Sequence, residues 1–181
     1  DAGFDAHRIE LFFHAQPAPF IRISNEIEYE GVSAIGADPD KNRGEIKVEQ
    51  SNVALTFHPA IGLKAGIMYA PIGEFNQNHY DTVRNLTDRP LVMRRIMPAE
   101  YSDVGLQLFG RGYFGDVELE YQVAMLNGLD NHISDGTKGL RSARPSYRKD
   151  ADGVPAGAGR FGFAYADYLH LGVSGYVGHF T

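Results

Sequence analysis

The sequence predicts an all-β chain, an antiparallel transmembrane β-barrel of which about eight strands lie here. Three observations predict it. Apolar and polar residues alternate with period 2 along most of the chain, as in strands whose two faces meet different surroundings. The links between these stretches are alternately short and long, the asymmetry of barrels with tight turns at one rim and loops at the other. Phe and Tyr collect at the ends of the stretches, where interfacial girdles belong.

Composition agrees. The 181 residues suit one domain, 1–181, and include 21 Gly, 11 Phe and 10 Tyr, with no Trp and no Cys. Gly and aromatic residues favour strands and turns over helices. The absence of Cys excludes disulfides and cysteine metal sites. A net charge of −6 argues against a nucleic-acid partner. No apolar run approaches the roughly 20 residues of a spanning helix, which leaves strands as the way through a bilayer.

The strands follow in order. Arg8–His14 alternates imperfectly. In the second, Ile21, Ile23, Ile27 and Tyr29 share one face, and Arg22, Ser24, Glu26, Glu28 and Glu30 the other. Glu45–His58 begins with Ile46 and Val48 on the apolar face and then changes phase to Val53, Leu55 and Phe57, so a bulge is expected near Glu49–Asn52. Ile61–Ala70 and Asp103–Phe109 are the fourth and fifth. The sixth sets Val117, Leu119, Tyr121, Val123 and Met125 against Asp116, Glu118, Glu120 and Gln122. Arg160–Ala166 and Tyr168–Phe180 complete the set.

Short links are expected at Gln16–Pro19, His58–Ala60, Gly110–Tyr113 and around Asp167, and long ones at Gly31–Arg43, Pro71–Glu100 and Asn127–Ala158. A soluble meander has no reason to keep its long loops at one end. Phe13, Phe20, Phe57, Tyr113, Phe114, Tyr165 and Tyr168 lie by the short turns, and Tyr29, Tyr69 and Tyr101 by the long loops. With the long loops outside, both chain ends fall on the outer side, so strands are expected before Asp1 and after Thr181. A closed barrel of eight strands would be filled by its own side chains.

Several segments together resemble the phosphate-selective porin family, porins O and P and their outer-membrane relatives. They are "SNEIEYEG", "GEIKVEQSNVALTF", "LKAGIMYAPIGEFNQNH", "RPLVMRRIMPAEYSDVGLQLFG", "LEYQVAMLNGL" and "LGVSGYVG", in order from about Ser24 to Gly178. The resemblance implies a bacterial outer-membrane barrel of about 16 strands, often a homotrimer, whose partners are membrane lipid and the small solutes or ions that pass it. Other subunits of a membrane complex are a further partner class. The family's phosphate preference rests on basic pore residues. Here the lumen-facing candidates Arg22, Lys47 and Lys64 are joined by Glu26, Glu28, Glu118 and Glu120, so phosphate specificity is not carried over, and a general or cation-tolerant pore stands at least level with an anion-selective one.

The longest loop carries Arg84, Arg89, Arg94 and Arg95 with Leu91, Val92 and Met93. Porins fold a long loop into the lumen, and charge at a constriction sets selectivity. These arginines are constriction candidates; equally, Glu74, Asp81, Asp88 and Glu100 could pair with them in a structural plug.

Other motifs carry less. Asp38, Asp40, Asn42 and Glu49 approach calcium-loop spacing, but Arg43 occupies the position that needs Gly. "GAGRFG" matches a dinucleotide fingerprint without the strand before it or the helix after it. Scattered histidines and the lack of a G-x-S-x-G elbow give no metal, cofactor or catalytic site, although spacing leaves a cross-strand Ser–His pair open. The expected function is passive diffusion of small hydrophilic solutes. Its alternatives are a non-transporting barrel that scaffolds partner proteins and a soluble ligand-binding β-sandwich.

Overall fold

The computed structural model describes residues 8–31, 45–78, 80, 90–95, 100–130, 139–144 and 153–179, with backbone alone at 94–95 and 141–142. Eight antiparallel strands form one sheet in sequence order. They are β1 (Arg8–Ala18), β2 (Ile21–Glu30), β3 (Glu45–His58), β4 (Ile61–Tyr69), β5 (Ser102–Phe114), β6 (Val117–Leu126), β7 (Ala156–Tyr165) and β8 (Leu169–Val177). Among the described residues β1 and β8 do not pair with each other, so the sheet is open. No described helix is long and apolar enough to cross a membrane.

Register explains the phase change in β3. Glu26 faces Gln50 while Ile27 faces Val48, which leaves Glu49 as the extra residue of a bulge. The bulge sends both Glu49 and Gln50 to the polar face and keeps Val48 and Val53 on the apolar one.

Two short links sit further along than expected. β1 continues through Gln16 to Ala18 and turns at Pro19–Phe20. The stretch Gly110–Tyr113 is strand, and the turn comes at Gly115–Asp116, where Gly115 takes φ +62°. Gly110 serves close approach instead of turning: a Cβ there would lie 2.1 Å from the Ala60 carbonyl oxygen. β7 likewise begins early, at Ala156, and absorbs all of "GAGRFG" as strand.

The two sheet faces differ sharply. Ile9, Leu11, Ile46, Val48, Val53, Leu63, Leu106, Leu108, Val123, Met125, Phe161, Leu171 and Val173 are exposed and share one face by register. The other face holds the charged and amide side chains. At the short-turn rim the expected aromatics are exposed, Phe57 by 65% and Tyr168 by 87%. At the opposite rim the expectation fails: Tyr69 and Tyr101 are buried. There the links fold back and pack Met68, Ala70, Ile72, Tyr101, Leu126, Leu129 and Ala143 into the core, with Tyr176 against it.

Candidate functional site

The link after β4 shapes the polar face. Gly73 takes φ +68°, which turns the chain off the strand and into helix α1 (Gly73–Gln77). Asn76 is buried and anchors it: its amide donates to the carbonyls of Ala70 and Tyr101, and its oxygen accepts from the Tyr101 N–H at 2.8 Å. The Gly73 N–H donates to Ser174 on β8 at 2.8 Å, and Glu74 pairs with Arg160 on β7. At the other end, the Tyr80 hydroxyl donates to Glu26 on β2, and its ring meets Phe12 of β1 at 5.5 Å.

This strap of a few residues therefore touches both sides of the sheet. A flat sheet would separate β1 from β8 by seven steps of about 4.8 Å, roughly 34 Å. One short helix and its extension to Tyr80 advance less than about 18 Å, and the Tyr80 ring with the contacts at the two ends adds roughly 12 Å. Strand side chains stand perpendicular to the sheet and add little along it. The sheet must be curved around its polar face, and Gly73–Asn78 with Tyr80 bridge the hollow.

On the β1–β3 side the hollow holds an acidic knot. Oxygens of Glu28, Glu49 and Glu100 converge within 4.8 Å of one another, all in buried residues. Three like charges out of water need compensation. Arg8 supplies it from β1, 3.1 Å from Glu28, 3.6 Å from Glu100 and 3.1 Å from Glu10. This guanidinium accounts for the convergence as a structural ion cluster. Beside it, Lys47 pairs with Glu30 at 2.7 Å and Glu26 accepts from Gln50 at 2.8 Å.

The β5–β8 side alternates sign. Arg111 reaches Glu118 at 2.9 Å and Glu120 at 3.4 Å, and Arg160 joins Glu120 to Glu74 of the strap. These groups, with Gln77, Gln122, His170 and Ser174, line a cleft of about 680 Å³ between α1 and the wall. Between the two sides Tyr101 donates to Asp103 at 2.9 Å, and Asp103 also accepts from the Gly128 N–H at 2.8 Å. Burial first, then Asp103, raises the Tyr101 phenol far above its ordinary value; burial and Glu26 do the same for Tyr80. Both stay neutral donors.

The residues singled out in the sequence are distributed as follows. Arg22, Glu26, Glu28, Lys47, Lys64, Glu118 and Glu120 all fall on the polar face by register. Arg22 and Lys64 flank Ala54 in one cross-strand row. Arg84 and Arg89 lie outside the described residues, as do Asp38, Asp40 and Asn42. Arg94 and Arg95 close the short helix α2 (Leu91–Arg95), and their side chains are likewise outside. Met93 of α2 is buried. Sequence reasoning missed Asn76, Tyr80 and Arg160 as the groups that seat the strap. A polar run of "GEFNQNHY" directly after a strand was the available signal.

One Ser–His pair is brought together across strands. His14 Nδ1 and Ser24 Oγ lie 3.2 Å apart on exposed parts of β1 and β2. No described side chain is bonded to the other ring nitrogen, so the third member that orients a catalytic histidine is missing there.

No protein-family model matches the chain, and no solved structure matches it. It is similar to an uncharacterized protein of Aquifex aeolicus (strain VF5), 26% identical over 176 residues, covering 96% of this chain and 38% of that protein. The chain thus spans well under half the length of the curated relative it matches.

Proposed function

We propose that this chain is part of an outer-membrane β-barrel channel through which small hydrophilic solutes or ions diffuse passively. One observation carries the reading: a curved sheet with an exposed apolar face outside and a charged face inside, crossed by a strap from its own loop. Strand lengths of 9 to 14 residues suit a bilayer, where a tilted strand needs about 9–11. The free edges of β1 and β8 argue for further strands, because hydrocarbon leaves unpaired amides unsatisfied. A barrel of about 16 strands in a bacterial outer membrane, as a homotrimer, fits the resemblance noted above and the greater length of the relative. The polar face favours cations, since by register its acidic side chains outnumber its basic ones. Phosphate preference is not part of the proposal.

Planar-bilayer conductance of the full-length protein tests it. Steps of defined size, with a reversal potential on the cation side in asymmetric salt, are expected. No conductance at high protein load would sink the transport reading. Replacing Arg89, Arg94 and Arg95 by Ala then asks about the loop: an unchanged reversal potential removes them from the pore.

The strap also supports a second reading, a barrel blocked by its own loop that scaffolds partner proteins. It predicts a silent bilayer and stably co-purifying subunits.

A further inference from the structure

Phe12 stands on the wrong face. It is in register with Glu26 on the polar side of β1, yet 45% exposed. Its ring meets Tyr80 edge-on at 5.5 Å and stacks with His14 at 6.4 Å. With Glu10, Ser24, Glu26 and Gln50 these rings enclose an open cleft of about 360 Å³. If Phe12 served only to seat Tyr80, the strap would cover it; instead part of the ring looks into the cleft beside two carboxylates. Of the basic groups on this side, Arg8 is engaged by Glu10, Glu28 and Glu100 and Lys47 by Glu30 and Glu45, while Arg22 lies one same-face position beyond Ser24 toward the short turn. Aromatic faces attract cations through their quadrupole and also shelter apolar groups. Carboxylates alone would suit a bare metal ion, and rings alone an uncharged one; the combination selects charge carried on an apolar stem.

We propose that this cleft is a subsite for small organic cations, an ammonium or guanidinium group on an apolar stem. It deepens the channel reading by naming a solute class, and its test is chosen to fail separately. The full-length protein in detergent micelles, where conductance plays no part, is titrated calorimetrically with choline, its uncharged carbon isostere dimethylbutanol, and glucose. Choline is expected to bind saturably and the two neutral compounds at least about tenfold more weakly. Phe12→Leu, which keeps an apolar contact for Tyr80, should weaken choline about fivefold, and Glu10→Gln by a similar factor. Tyr113→Leu, outside the cleft, should leave it unchanged. Circular dichroism checks each fold, and Phe12→Tyr, which retains a ring, should restore binding if Phe12→Leu does not fold. The proposal is overturned by no saturable choline binding, by equal binding of dimethylbutanol or glucose, or by unchanged binding in both Phe12→Leu and Glu10→Gln. Choline binding without conductance would refute the channel and leave the subsite standing.

Discussion

The two rims of the sheet are built differently. At the short-turn rim, Phe57, Tyr113, Phe114 and Tyr168 are exposed, and Arg111 is half exposed beside Glu118 and Glu120. At the long-loop rim the chain folds back on itself. Tyr101, Met68 and Leu126 are buried there, and Arg8 lies sealed among Glu28 and Glu100. The same residue types thus meet opposite surroundings about one strand length apart. Packing and buried charge concentrate where the loops return, and the turn rim carries little of either. A substitution at the loop rim should therefore cost far more than its counterpart at the turn rim.

Tyrosine gives the widest gap. Tyr101→Ala opens a cavity and strips a donor from buried Asp103. Its expected cost is about 4–6 kcal/mol. Tyr113→Ala, 62% exposed, should stay within about 1 kcal/mol. Urea unfolding in detergent micelles measures both, and equal midpoints would abolish the distinction between rims.

Arginine comes next. Arg8→Met leaves Glu28 and Glu100 buried without their guanidinium, expected to cost about 3–5 kcal/mol at neutral pH. Arg111→Met loses a solvent-screened pair, worth about 0–1 kcal/mol. The sign of the pH effect also separates them. Acid removes the negative charge that the guanidinium compensates, so the Arg8→Met deficit should shrink as pH falls. That of Arg111→Met should not. An Arg8→Met deficit that grew on acidification would refute the buried-charge explanation.

Asn76→Ala tests whether the strap depends on the loop rim. It breaks the bonds to Ala70 and Tyr101, expected to cost about 2–3 kcal/mol locally. Hydrogen exchange should rise at 73–80 and not in β5–β8. Uniform loosening of the sheet would mean that Asn76 holds the core and not the strap.

How far the sequence could be read follows the same division. Strands β2 and β6 were plain because a charged face opposite an apolar one has an unambiguous period. The β3 bulge showed itself because one extra residue reverses the phase of everything after it. Tyr69 and Tyr101 defeated the pattern, since alternation tells which face a residue joins but not what later folds over it. Asn76 and Tyr80 were hidden for the same reason: their partners on β1, on β2 and just before β5 are set by the path of a link that has no period. The arginines 84, 89, 94 and 95 stood out by composition, yet composition carries no contact information.

Glycine provides the smallest test, within strands that all looked alike. "GRGY" suggested a turn because Gly and a polar neighbour mark turns. In β5, however, Gly110 lies under the Ala60 carbonyl and the Tyr121 ring, which leaves no room for a methyl group. Gly175 in β8 has nothing within 4 Å of the position its Cβ would take. Neither residue needs a left-handed backbone, so substitution by Ala isolates space from conformation. Gly110→Ala should cost about 1–3 kcal/mol by displacing the β4 turn. Gly175→Ala should be neutral or stabilise by about 0.5 kcal/mol, since Ala loses less backbone entropy on folding. A cost for Gly175→Ala matching that of Gly110→Ala would mean that β8 is covered by something close against its backbone.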